Sequence, residues 1–304
     1  MSALLPTRSL ALPELRPAQP TDTTALLEVF FRANEELQRQ HGRPIATRNP
    51  APVEHHLRHL MATDPETFYV AEDDGRVVAF GVAAMRRSTW FLSFLFVDPE
   101  QQARGVGRAV LRACLGGAPA VTRHATCAES NQPVSTGLYA SVGMAPQALI
   151  FLLRGTLDGE ALPALPSEVR ARVLEPTVVE SLDVAVLGYP RPQDHMFWAQ
   201  HERRGWMFED RSGGLLGYGY AQPSGRLGPV AAAEPAHIMP FVGHLVRSTS
   251  VIEGWQVIVP GPAIETLKPL LHSGLRIDGT PAIYCSDGEV PRFERYLPGS
   301  FALL

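Results

Sequence analysis

The sequence predicts an α/β (α+β) fold made of two related domains in tandem. Its 304 residues are 45% hydrophobic and 19% charged, which suits a globular chain long enough for two hydrophobic cores. Strand-like and helix-like patterns alternate through the first half, and a similar order recurs in the second. Between the halves, residues 155–168 are rich in proline, glycine and acidic residues, as linkers are. The predicted domains are therefore residues 1–154 and 169–304.

The first half begins with a short strand and two helices. A helix is predicted over residues 21–40 because its apolar residues recur every three or four positions, and Thr21 or Asp22 can cap it. Further along, Asp73-Asp74-Gly75 predicts a tight turn between two strands. In order, the predicted elements are the strand 14–17, the helices 21–40 and 52–61, the strands 67–72, 76–85 and 88–97, the helix 105–115, the strand 120–128, the helix 132–142 and the strand 147–154.

The second half repeats features of the first in the same order. Val97-Asp98-Pro99 is echoed by Ala233-Glu234-Pro235, and Ser141-Val142-Gly143-Met144 by His272-Ser273-Gly274-Leu275. These echoes favour duplication of one domain, although unrelated α/β domains can share such turn residues. The predicted elements are the strand 169–174, the helices 177–187 and 193–203, and a hairpin of 206–210 with 215–221. We expect the apolar tail, residues 296–304, to pair with a sheet edge.

Charge and composition exclude several classes of function. The net charge is −4 and no block of lysine or arginine occurs, which argues against a nucleic-acid partner. The apolar runs are too short to span a membrane, and the first 20 residues lack the apolar core of a secretory signal. Three widely spaced cysteines suggest reduced thiols in the cytoplasm, and no metal-ligand spacing is present. The oligomeric state stays open.

A glycine-rich turn between a strand and a helix is the most informative segment. It reads Val97-x-Pro99-x-x-Gln102-x-x-Gly105-x-Gly107. Glycines let the backbone approach an anion, and the unpaired N–H groups at a helix N-terminus bind one. No Gly-Lys-Ser/Thr follows, so it is not a Walker loop, and the third glycine of a dinucleotide fingerprint is missing. A plain strand–helix turn is the alternative reading of the glycines alone.

A second motif, in residues 131–143, favours a binding site over a plain strand–helix turn. Asn131 ends a predicted strand, Tyr139 lies two turns into the following helix, and Gly143 closes that helix. Together with the glycine-rich turn, this pattern resembles the GCN5-related N-acetyltransferase (GNAT) family. The resemblance is clear over residues 12–154, and residues 169–304 look like a degenerate copy without the glycine loop.

The resemblance implies a fold and a co-substrate. Each domain would have a mixed, mostly antiparallel twisted sheet flanked by helices, with acetyl-CoA held where two central strands, 88–97 and 120–128, splay apart. The backbone of Phe96 and Val97 would then bind the pantetheine, and Asn131 would cap its helix and contact the cofactor. The pyrophosphate would be bound by Gln102, Ala103, Arg104, Gly105, Val106, Gly107 and Arg108. Arg104 and Arg108 could equally be solvated surface arginines.

The resemblance also implies the reaction, in which an amine attacks the thioester directly in a ternary complex. Tyr139 would be the proton donor to the departing thiolate, a role that suits a phenol with a pKa near 10; the alternative is a core tyrosine. A general base is not assigned, because the strand 88–97 contains no carboxylate. His124, Glu129 and a chain of water molecules remain candidates.

The expected activity is acetyl-CoA-dependent acetylation of a primary amine on an acceptor that the sequence does not identify. A non-catalytic acyl-CoA-binding or regulatory module is the main alternative. A tandem acetyltransferase of the mycothiol synthase type is less favoured, because in that family the C-terminal copy is the active one. Here the intact motifs lie in the first copy.

Overall fold

The computed structural model describes residues 12–118 and 121–304, and these fall into two compact units. Of the described residues, 12–83 and 94–118 belong to the first unit, and 84–93 and 121–304 belong to the second. Strands from both halves of the sequence pair within the second unit, and the domain boundaries at residues 154 and 169 stay a prediction. Among the described residues, no helix combines the length and the apolar character needed to cross a membrane.

The first unit has helices on both faces of its strands. Its elements are β1 (Glu14–Pro17), α1 (Thr23–Gln40), α2 (Pro50–Thr63), β2 (Phe68–Asp73), most of β3 (Arg76–Arg86), the end of β4 (Thr89–Val97) and α3 (Val106–Gly116). Strands β1, β2 and β3 pair antiparallel, with Val70 opposite both Arg16 and Phe80. On one face, Phe80 and Phe94 pack with Phe30 of α1. On the other face, α3 lies close to Gly81, where an added Cβ would be 2.9 Å from Val110. Because both faces are covered, β3 is an almost continuous apolar run rather than an alternating one.

The second unit contains elements from both halves of the chain. From the first half come the beginning of β4, β5 (Arg123–Glu129), α4 (Pro133–Ala140) and β6 (Ala145–Gly155). From the second half come β7 (Arg170–Val173), α5 (Glu180–Leu187), α6 (Pro192–Gln200), β8 (Arg204–Glu209), β9 (Leu215–Ala221), β10 (Arg226–Ala232), α7 (Ile238–Arg247), β11 (Trp255–Pro260), α8 (Ile264–His272), β12 (Arg276–Ile277), β13 (Ala282–Ser286) and β14 (Tyr296–Leu297). The strands of this unit follow the order β4-β5-β13-β6-β11-β10-β9-β8-β7.

Strand exchange joins the two halves of the sequence. Strand β13 of the second half lies between β5 and β6 of the first half and pairs antiparallel with both. In turn, β6 pairs antiparallel with β11 and β12 of the second half. The sheet next to α4 is therefore completed by a strand from more than 100 residues further along the chain.

The apolar tail pairs within the sheet rather than at an edge. Leu297 lies opposite Val230 and Tyr296 opposite Ala231, so β14 is antiparallel to β10. Strand β10 also pairs with β9, and it pairs in parallel with β11 only at Arg226 and Leu227. The expectation of edge pairing was wrong because β10 is an interior strand of the sheet, and both Tyr296 and Leu297 are buried there.

Candidate functional site

The glycine loop of the first unit, residues 102–108, has the backbone conformations that an anion-binding loop requires. We call this loop the cradle. After β4, a short 3₁₀ turn leads to Gly105, the N-cap residue of α3, whose φ of +83° lies in the left-handed region. Ala103 is also left-handed, with φ +61°. This conformation costs a residue with a Cβ on the order of 1 kcal/mol, which explains why glycine suits that position better.

The loop is braced by a buried carboxylate. Asp98 is 2% exposed and accepts a hydrogen bond of 3.0 Å from the backbone N–H of Glu100. Arg32 and Arg76 form ion pairs with Asp98 at 3.2 and 2.9 Å. Gln102 closes the turn by donating from Nε2 to the carbonyl oxygen of Val97 at 3.1 Å. The path of the loop is thus set by Asp98 and by Gln102 at the start of the loop.

Three backbone N–H groups at the N-terminus of α3 have no acceptor within the helix. The first intrahelical bond is donated by the N–H of Ala109 to the carbonyl of Gly105, at 3.0 Å. The N–H groups of Val106, Gly107 and Arg108 precede it, and α3 has no side-chain cap. Three aligned donors and the positive end of the helix dipole suit an anion such as a pyrophosphate.

The predicted residues of β4 lie directly before this loop in the first unit. The Phe96 ring is 4.8 Å from that of Phe30 and 5.8 Å from that of Phe80, measured between centroids. Val97 points the other way, and an added Cβ on Gly107 would lie 3.3 Å from its Cγ2. The second glycine of the motif therefore allows α3 to begin close against β4.

Asn131 lies in the second unit but does not cap α4 as expected. The N-cap residue is Gln132, and no side chain caps this helix. Instead, Nδ2 of Asn131 donates to Oγ1 of Thr280 at 3.3 Å, while its Oδ1 is buried and has no hydrogen-bond partner among the described residues. A buried acceptor without a donor is costly, and a bound ligand would relieve that cost.

Tyr139 lies at the end of α4 and is 6% exposed. Burial, with smaller effects from the thiols of Cys285 and Cys127, raises the pKa of its hydroxyl above the usual value. The group therefore stays protonated at neutral pH, as a proton donor must. Gly143 is left-handed as predicted, with φ +99°, although α4 already ends at Ala140.

The two side chains considered as bases lie on β5. The Nδ1 atom of His124 is 2.7 Å from Oδ2 of Asp287, and the ring contacts Trp90 edge-on. Glu129 ends the same strand, opposite Ala282. Five residues of an extended strand span about 17 Å, so one substrate amine cannot use both side chains directly.

The second half has no comparable cradle. Its α7 follows Glu234 and Pro235 without a glycine and carries Pro240 in its first turn. Beside β10, β14 pairs where the ladder with β11 has ended. Strand β14 therefore occupies the side of β10 that β11 leaves open. The backbone groups of β10 on that side bond to β14 and are not available to a ligand.

Ionisable groups in the second half form a buried network instead. Asp183, which is 0% exposed, lies 2.7 Å from Nε2 of His195 and accepts a 2.5 Å hydrogen bond from the Tyr218 hydroxyl. Arg191 donates to the hydroxyl of Tyr218 and lies 3.4 Å from Asp183. These contacts satisfy most of the buried polar atoms, with Nε of Arg191 held only by its ion pair with Asp183, and they indicate a structural role.

Comparison with known proteins supports the family resemblance. Residues 30–144 match the model of the acetyltransferase (GNAT) family. A candidate acetyltransferase from Pyrococcus horikoshii has a similar structure over 100% of both chains, with a TM-score of 0.76 and 15% identity. A GCN5-related N-acetyltransferase from Sphaerobacter thermophilus has a TM-score of 0.58 at 16% identity, over 91% of this chain and 96% of its own.

A third solved structure is itself a tandem protein. It is a tandem GNAT protein from the clavulanic acid biosynthesis pathway, with a TM-score of 0.59 and 14% identity over 91% of this chain and 99% of its own. No curated protein matches the sequence. Residues 30–144 therefore form a domain of the acetyltransferase (GNAT) family. The chain as a whole shares the fold of these solved structures, one of which is a tandem GNAT protein.

Proposed function

We propose that this protein is an acetyl-CoA-dependent N-acetyltransferase with one working site, built from residues of the first half of the sequence. The observation that carries the proposal is the left-handed Gly105 at the start of α3, followed by three unpaired backbone donors. The family uses acetyl-CoA as its co-substrate. In this assignment the donors of Val106, Gly107 and Arg108 bind the pyrophosphate, and the backbone of Phe96 and Val97 binds the pantetheine.

The proposed reaction is a direct attack by a neutral primary amine on the thioester carbonyl. The new C–N bond forms as the C–S bond breaks, and the sulfur leaves with the bonding electron pair. Tyr139 donates its proton to that sulfur, giving free CoA thiol, and its raised pKa suits the protonated state that this role needs. The amine loses one proton to water or to a base on β5. None of the three cysteines forms a disulfide, which fits a reducing cytoplasm.

A non-catalytic acyl-CoA-binding module is the second candidate. It is favoured by strand β4, which contains no carboxylate, whereas many members of the family carry a glutamate on the strand before the glycine loop. Titration calorimetry with acetyl-CoA, combined with detection of released thiol over a panel of primary amines, separates the two. Binding with thiol release that depends on an amine supports the transferase, binding with no transfer to any amine supports the module, and no binding contradicts both.

The cradle can be tested through Arg108. Its side chain is exposed in the first turn of α3, where a cation adds to the potential that attracts phosphates. We expect Arg108→Ala to weaken acetyl-CoA binding roughly three- to tenfold at low salt, with a smaller effect at high salt because exposed charges are screened.

Arg112, one turn further along the same helix, provides the matched control. It is exposed as well, and Arg112→Ala removes the same charge at a greater distance from the cradle. Calorimetric dissociation constants at two ionic strengths measure both variants. Equal losses of affinity would mean that only overall charge matters and would argue against a phosphate site at the N-terminus of α3.

A further inference from the structure

One short segment of the second half is attached along β5, the strand that leads to Asn131. Strand β13 pairs with β5 from Ala282 opposite Glu129 to Ser286 opposite Ala125. Past the end of this ladder, the carboxylate of Asp287 accepts from the backbone N–H of His124 at 2.6 Å and contacts its ring nitrogen. The segment is thus held at both ends of β5.

The N-terminal end of this segment lies against the loop between β5 and α4. The backbone N–H of Ser130 donates to the carbonyl oxygen of Pro281 at 3.0 Å. One residue earlier, Oγ1 of Thr280 accepts from Nδ2 of Asn131 at 3.3 Å. The hydrogen bond between Ser130 and Pro281 and the ladder between β5 and β13 fix the backbone next to both side chains. The contact between Thr280 and Asn131 is therefore held at a defined position.

This contact leaves Asn131 with one unused polar atom. Its Oδ1 is buried and accepts no hydrogen bond from the described residues. Buried amide oxygens nearly always have a donor, and an exception in a native fold calls for an explanation. An N–H group of a bound ligand supplies one, and acetyl-CoA carries amide N–H groups in its pantetheine arm.

We propose that Thr280 is a positioning residue for acetyl transfer, which holds the amide of Asn131 so that its Oδ1 can accept from an amide N–H of acetyl-CoA. The inference rests on the proposed function and adds to it a residue from the second half of the chain. The degenerate copy thus has a defined part in co-substrate binding, because it supplies the side chain that orients Asn131.

The test compares Thr280→Val with Thr280→Ser. Valine keeps the shape of threonine but cannot accept the hydrogen bond, whereas serine keeps the hydroxyl. Because one hydrogen bond is lost, we expect Thr280→Val to weaken acetyl-CoA binding about five- to tenfold, with the KM for acetyl-CoA rising and kcat little changed. Thr280→Ser should restore most of the affinity.

Thr136→Val is the matched control, because it removes a threonine hydroxyl that bonds within α4 to the carbonyl of Gln132. Thermal unfolding of each variant shows whether the fold is kept, and Thr280→Ala replaces Thr280→Val if valine disturbs it. In an Asn131→Ala background, Thr280→Val should have no further effect on affinity, since the two side chains act through one contact.

The outcomes separate this inference from the proposed function. If the wild-type protein does not bind acetyl-CoA by calorimetry, the proposed function itself fails. If the wild type binds and Thr280→Val binds equally well, the function stands and the positioning role is wrong. Equal losses in Thr280→Val and Thr280→Ser, or full additivity with Asn131→Ala, would also overturn it.

Discussion

Tyr139→Phe is expected to lower kcat by roughly 10²- to 10⁴-fold, the range that a well-placed general acid contributes. The substitution removes one oxygen and keeps the ring, which is 6% exposed and packed at the end of α4. Acetyl-CoA affinity should therefore stay close to that of the wild type. A loss confined to kcat is the signature of an interaction made in the transition state rather than in substrate binding.

The pH profile gives an independent readout of the same role. A proton donor works only in its protonated form, so activity falls as pH rises through its pKa. Burial, together with the nearby thiols of Cys285 and Cys127, raises the pKa of Tyr139, so this loss should begin only above about pH 10, the ordinary value for tyrosine. An alkaline fall in kcat that begins nearer pH 8 and disappears in Tyr139→Phe would contradict the raised pKa.

Tyr189→Phe serves as the control for the loss of a buried phenol. Tyr189 is 4% exposed and donates its hydroxyl hydrogen bond to the main-chain oxygen of Leu304 at 2.6 Å. Its replacement should lower the unfolding temperature at least as much as Tyr139→Phe does, yet leave kcat unchanged. Full turnover of Tyr139→Phe with the true acceptor would remove the acid role.

The local parts of the candidate site were predictable from sequence because short-range chemistry determines them. A left-handed residue before a helix favours glycine, so Gly105 indicated both the turn and the start of α3. The strands on either side of the Asp73–Gly75 turn were predicted because β2 and β3 carry apolar runs that end at turn residues. These features can be predicted without knowing which distant residues pack against them.

Strand exchange could not be predicted in this way. The residues of β13 carry no pattern that predicts pairing with β5 and β6, which precede them by more than 100 residues. The cap predicted at Asn131 failed for the same reason, since its amide bonds to Thr280 of the distant segment. Asn131 is a good capping residue by type, but a tertiary contact takes its side chain away from the helix.

The buried network around Asp183 was missed, although the sequence carries a signal for it. Asp183 and Arg191 are flanked by apolar residues, including Leu182 and Val186, which are themselves buried. Charged residues within apolar runs are rarely buried unless they are paired. Two opposite charges placed in this way therefore predict a buried ion pair, even where their separation in space is unknown.

Asp183→Ala should destabilise the protein by about 3–5 kcal/mol, the usual result of removing one partner from a buried ion pair. The side chain of Arg191 is 1% exposed, and its guanidinium would lose its nearby negative charge. His195 and Tyr218 would lose an acceptor as well. Urea unfolding measures the change, and Asp278→Ala is the control, because the ion pair of Asp278 with Arg154 is about half exposed and should contribute less than about 1 kcal/mol.

A double-mutant cycle and an acid titration show whether charge is the cause. Arg191→Met combined with Asp183→Ala should cost clearly less than the sum of the two single changes, because neither charge is then left without a partner. Burial alone would raise the pKa of Asp183, but the charge of Arg191 and the bonds from His195 and Tyr218 hold it below its usual value. A lowered pKa means that this stabilisation is present above about pH 4 and is lost as pH falls further, so the wild type should lose more stability on acidification than Asp183→Ala does. Equal acid sensitivity of the two proteins would mean that packing around residue 183, rather than its negative charge, stabilises this part of the second half.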